Sequence, residues 1–154
     1  MKTIVATLAL AVAGPSLAAS DTIQIAPNGA TPTRAGNAEQ FTGQVLIDGL
    51  TTADSAKFAG SGIVTFAPGA RTAWHTHPAG QWFFVTSGKG WVQEEGRAAR
   101  EIKPGDAVWI PANVKHWHGA TDKTSMSHIA ITPVQDGKNV TWLDPVSDAQ
   151  YGPR

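Results

Sequence analysis

Four of the five histidines in this 154-residue chain fall in two tight pairs, His75-Thr76-His77 and His116-Trp117-His118. Side chains two apart on an extended strand project to the same face, so each pair presents two imidazoles to one side. Gln81 follows four residues after His77, at the start of the next apolar run, and the fifth histidine, His128, stands alone in a run of Ile and Ala. A lone histidine on an apolar face is usually a packed residue. Two His-x-His pairs, each preceded by a Gly-led turn, are better explained by a metal ion, because imidazole is the commonest transition-metal ligand. Cysteine is absent, which excludes a disulfide framework, a thiol nucleophile and thiolate metal sites. Nitrogen and oxygen donors must hold any ion, and they suit Mn, Fe, Co, Ni, Cu or Zn.

The elements that must position these residues read as short strands. Apolar runs rich in Val, Ile, Trp and Phe cover 41–47, 61–66, 81–85, 90–94, 101–102, 107–110, 115–118 and 125–131, with Gly, Pro, Asn or Asp between them. That pattern indicates an all-β sandwich or barrel. Helical periodicity is absent apart from a weak turn near 53–58, and an edge strand is expected around 23–25 within an otherwise irregular arm. The Pro-Gly turns at 68–69 and 104–105 each open a segment that ends in histidines, as two related hairpin halves would. Alternation puts Gln81 and Phe83 on the cavity face of their strand, with Trp82 and Phe84 on the opposite one. Six tryptophans are a large aromatic load for one small domain, and most are expected in core or subunit-interface packing.

The first 19 residues read as a cleavable signal peptide: Lys2, an apolar run over 4–13, then Ser16-Leu17-Ala18-Ala19. That run is shorter than the roughly 20 apolar residues a membrane span needs. The expected product is secreted, into the periplasm, with an arm over 20–40, a barrel over 41–146 and a tail over 147–154. About 135 mature residues make one domain. Losing Lys2 leaves eleven basic against twelve acidic residues, a balance with no electrostatic footprint for nucleic acid or an anionic membrane.

Gly69-x5-His75-x-His77-x3-Gln81-x6-Gly88 resembles the first motif of the cupin family, with Gln81 where many members carry Glu. Gly105-x5-Pro111-x-Asn113-x2-His116 resembles the second, with Asn113 where Gly is usual; Asn is the next-best residue for a left-handed turn. The resemblance implies a single-domain jelly-roll barrel holding one divalent metal through His75, His77, Gln81 and His116. With a neutral amide as fourth ligand, the full charge of the ion would face the substrate, which favours Lewis-acid chemistry. The flanks, from Phe66 to Gln81 and from Lys115 to Ala120, are similar to small bacterial cupins described as manganese-dependent hydroxynitrile lyases. That likeness implies manganese, with Fe, Zn, Ni, Co or Cu as alternatives. It also implies a small-molecule substrate and His128 as general base with an ordinary imidazole pKa. His118 would orient substrate or support the ligands, and Gly62, Val64, Phe83 and Thr132 would line the pocket. Thr132 stands where that group can carry Gln. Small cupins commonly pair through a sheet, so a homodimer or homotetramer is expected. An iron-dependent dioxygenase and a non-enzymatic binding barrel remain as alternatives.

Overall fold

The computed structural model describes residues 22–52 and 55–152; the expected signal peptide, and Ala53 and Asp54 of the expected helical turn, lie outside them. Among the described residues thirteen strands follow one another: β1 (Arg34–Ala35), β2 (Phe41–Thr42), β3 (Val45–Gly49), β4 (Ala59–Phe66), β5 (Arg71–Thr72), β6 (His75–Thr76) and β7 (Gln81–Gly88) come first. After them come β8 (Gly90–Glu94), β9 (Arg100–Ile102), β10 (Ala107–Ile110), β11 (His116–Ala120), β12 (Met126–Pro133) and β13 (Thr141–Trp142). A single 3-10 turn, Ser55–Lys57, interrupts them. No edge strand forms at 23–25, where Ile23 is 95% exposed. The arm instead contributes β1, whose Arg34 pairs with Ile47.

Two antiparallel sheets result. One runs β1-β3-β4-β12-β7-β10, and the other β13-β6-β11-β5-β2, with β8 joining β11 to β9. Alternation decides what enters the space between them. On β7, Gln81, Phe83 and Val85 are buried while Trp82 and Phe84 face outward; on β12, Met126, His128, Ala130 and Thr132 are buried and Ile131 is not. Phe41, Phe66, Phe83, Val85 and Met126 fill the core at one end of this space. A second cluster, Trp74, Trp117 and Val146, packs the outer side of the His-bearing sheet against Tyr151. Of the tryptophans, Trp74 and Trp117 are therefore core, whereas Trp82 and Trp109 are 43% and 44% exposed.

Both Pro-Gly turns place their glycine in the left-handed region, Gly69 at φ 79° and Gly105 at φ 93°, and Asn113 takes the same conformation at φ 62°. The backbone N–H of Asn113 donates to the His77 carbonyl at 2.8 Å. The loop of the second motif is thereby tied to the strand of the first.

Candidate metal centre

Cross-strand register brings the two histidine pairs together. His116 on β11 lies opposite His75 on β6, and their ring centroids are 4.1 Å apart. The His77 ring lies 5.0 Å from that of His75 and 5.4 Å from that of His116. Gln81 enters from the other sheet at the first residue of β7, opposite Ile110.

Each imidazole is turned by a backbone carbonyl. The Nδ1–H of His75 donates to Ala73 O at 2.9 Å, that of His116 to Val114 O at 2.9 Å, and that of His77 to Asn139 O at 2.6 Å. Hydrogen on Nδ1 leaves the lone pair on Nε2, which is how an outer partner selects the ligating tautomer. Nε2 of His77 and Nε2 of His116 are buried with no protein partner, and so is Oε1 of Gln81. The Gln81 amide is turned likewise, its Nε2 donating to Thr132 Oγ1 at 2.9 Å. Buried polar atoms in native proteins nearly always have partners. Three unpartnered acceptors in one cluster, all neutral nitrogen or oxygen, fit a divalent transition metal.

His118 lies close enough to compete. Ring nitrogens of His75, His116 and His118 fall within 4.8 Å of one another, a three-histidine group of the kind that binds metal. However, the His118 ring is 5.4 Å from His75 and 5.9 Å from His116, farther than His77 from each. Its Nδ1 is also engaged with His128 Nε2 at 3.3 Å. Beside His75 and His116, His77 thus offers an unpartnered Nε2, whereas His118 offers the nearer ring nitrogen with its Nδ1 at His128.

All five histidines are held neutral. Burial is the main cause in each case, and it pushes His116 down to about 4 and His128 to about 3. His75 and His118 fall well below the ordinary value, with neighbouring imidazoles adding to burial. Neutral imidazoles are what a metal requires. The ordinary pKa expected for His128 is thus corrected: no carboxylate of the described residues acts on this ring, and desolvation disfavours the imidazolium.

A cavity of about 190 Å3 opens beside the cluster, lined by Gln81, His77, His128, Gly62, Val64 and Thr132 among others. Phe83 does not line it. Its ring packs beneath, 4.9 Å from His118 and 4.8 Å from His128, and so forms the floor on which those imidazoles rest. His128 follows a register shift between β12 and β7 at Ser127. A bulge is a common device for re-aiming a side chain beside a site. Nδ1 of His128 is buried without a partner. Sequence reasoning missed Arg34 at the cavity wall, the Asn139 carbonyl and Thr72, whose Oγ1 accepts the His118 backbone N–H at 3.2 Å. None of these sits in a pattern that local sequence could mark.

The family model described as Cupin domain matches residues 62–132. An (R)-mandelonitrile lyase from Granulicella tundricola is 53% identical over 116 residues, covering 75% of this chain and 88% of that protein. Among solved structures, a cupin-like protein from Thermotoga maritima superposes with a TM-score of 0.72 at 38% identity, covering 86% of this chain and 95% of its own. The oxalate decarboxylase of Bacillus subtilis, described with Mn(II) centres, matches with a TM-score of 0.51 at 26% identity, over 66% of this chain and 28% of its own.

Proposed function

The chain belongs to the cupin family, and from that premise we propose that it is an exported, manganese-dependent carbon–carbon lyase of the hydroxynitrile type. His75, His77, Gln81 and His116 would hold the ion, which supplies Lewis acidity towards a substrate hydroxyl or carbonyl oxygen. The observation that carries the reading is the unpartnered donor set of His77 Nε2, His116 Nε2 and Gln81 Oε1, next to a third unpartnered imidazole nitrogen, His128 Nδ1. Mn(II) centres in the oxalate decarboxylase and the activity named for the 53% identical relative support the choice of metal and reaction.

His128 accepts the hydroxyl proton of a cyanohydrin at Nδ1 while Nε2 keeps its contact with His118. The O–H electrons form the carbonyl π bond, and the carbon–cyanide pair leaves with cyanide. Cyanide is a stronger base than imidazole and takes the proton back, so hydrogen cyanide and an aldehyde are released and His128 returns to its neutral state. Burial favours that return, because the imidazolium is held in a site that disfavours charge. Gly62 and Val64 leave room for the substrate body in the cavity, and Phe83 keeps the two imidazoles from moving. The signal-peptide pattern over residues 1–19 supports an enzyme working outside the cytoplasm.

The test is cyanide release from mandelonitrile by Mn(II)-loaded protein, run under argon and in air. Equal rates in both, falling at least about a hundredfold in His128→Ala with manganese content unchanged, are expected from the loss of a general base. Cyanide release that needs oxygen, or that survives in His128→Ala, would overturn the reading.

A further inference from the structure

Three of the four proposed ligands are aimed by main-chain carbonyls, which no substitution removes. Gln81 is the exception, since its amide is held by a side chain, Thr132, 51 residues away on β12. Thr132 is 7% exposed and Gln81 6%, and both line the cavity beside the cluster. An amide has two nearly isosteric ends of opposite character: its oxygen is an acceptor and a metal donor, whereas its NH2 is neither. Glutamate at the same position would offer oxygen from either end. A glutamine ligand therefore has an orientation problem that a glutamate ligand lacks.

We propose that Thr132 is the positioning residue of the metal centre, accepting the Gln81 amide N–H so that Oε1 faces His77 and His116. The geometry is that of an outer partner that selects the ligating atom, as the Nδ1 hydrogen bonds do for the imidazoles. Without the hydroxyl, the Gln81 Nε2 loses the acceptor that holds it. Its NH2 end can then turn towards the imidazole lone pairs, where it donates hydrogen bonds and presents no lone pair to an ion. Gln81 and Thr132 thus act as a pair, and the pair matters only while residue 81 is an amide.

This inference rests on the metal reading above, and the experiment separates the two. Mn(II) affinity would be measured by competition with a chelator, together with the electron paramagnetic resonance fine structure of the bound ion, in six proteins. These are the wild type, Thr132→Val, Thr132→Ser, Gln81→Glu, Gln81→Glu/Thr132→Val and Gln81→Glu/Thr132→Ser. Thr132→Val, nearly isosteric, is expected to weaken Mn(II) binding at least about tenfold and to alter the fine structure, in line with losses of outer-shell partners elsewhere. Thr132→Ser should return affinity to within about threefold of wild type, because its hydroxyl accepts the same bond. In the Gln81→Glu background, valine should change affinity less than about threefold, since the coupling of the two sites disappears. An unchanged affinity in Thr132→Val would overturn the proposal, as would an equal loss in the Gln and Glu backgrounds. Failure of the wild type to bind any divalent ion would instead overturn the metal reading itself.

Discussion

The buried imidazoles carry a pH dependence that belongs to the individual residue. His128 and His116 have folded-state pKa values pushed down to about 3 and about 4 by burial, against an ordinary value near 6.5 in the unfolded chain. Between those limits the unfolded chain binds protons that the folded one refuses, so stability falls as pH falls. Metal-stripped protein is expected to keep its full stability above about pH 6.5 and to lose a few kcal/mol, roughly, on acidification towards pH 4. Melting temperature followed across that range would show it; a midpoint unchanged from pH 7 to pH 4 would mean these rings are not held neutral. Asn113 is the second residue-scale lesson. A left-handed backbone at φ 62° is open to Asn at small cost, so a departure from the usual glycine leaves the turn, and its bond to the His77 carbonyl, in place.

At the scale of elements, Arg71 is the buried cation among the side chains that fasten the tail to the barrel. Arg71 on β5 donates from Nε and Nη2 to the Val146 carbonyl at 3.1 and 2.8 Å, and from Nη2 to Asp148 at 2.7 Å. Its guanidinium also lies 4.7 Å above the Tyr151 ring, whose hydroxyl donates to Ala120 O at 2.6 Å. The arginine side chain is 7% exposed and the aspartate 98%, so the two ends of the ion pair differ in weight. A surface carboxylate contributes little, whereas a buried carbonyl stripped of its donors costs about 1–3 kcal/mol. Arg71→Ala should therefore destabilise by about that amount and raise hydrogen exchange in the tail, while Asp148→Ala should be near neutral. Equal effects of the two substitutions, in chemical denaturation, would show that the ion pair rather than the carbonyl is what matters. Glycine has a comparable structural role at one corner: a Cβ on Gly88, at φ +71°, would meet Ser125 O at 1.8 Å, so the β7–β8 turn tolerates no side chain.

For the whole molecule, an apolar surface is left open on the outer face of the six-stranded sheet. Trp82, Phe84, Trp109 and Ile131 are each about 40% exposed on neighbouring strands β7, β10 and β12, and the Trp82 and Trp109 rings lie 5.1 Å apart. Contiguous exposed apolar groups of this kind mark contact surfaces, and the homodimer or homotetramer expected from the sequence would seat a second copy here. Sedimentation of the wild type should give a dimer or larger. Trp82→Ser/Trp109→Ser should give a folded monomer with its metal affinity retained, because both rings point away from the cavity. A wild-type monomer at all concentrations would remove this reading and leave the metal centre untouched.

Much of the architecture was legible in the chain because it depends on period and spacing. Strand positions over 81–85, 90–94 and 107–110, the burial of Phe83 between outward Trp82 and Phe84, and the two histidine pairs all follow from alternation and from turn residues, which are local. The donor types were equally legible: without cysteine, only nitrogen and oxygen remained. The edge strand expected at 23–25 failed for a physical reason, since a short apolar run becomes a strand only where another strand takes its hydrogen bonds, and it is residues 34–35 that reach β3. What tertiary structure alone decided is the state of the donors. The Asn139 carbonyl that turns His77, the Thr132 hydroxyl that turns Gln81 and the burial that holds His128 neutral are each made by residues far apart in sequence. His75 and His116 are turned by carbonyls only two residues back, at Ala73 and Val114. The atom that His77 or Gln81 presents instead depends on a partner far off in sequence, and no local pattern encodes that partner.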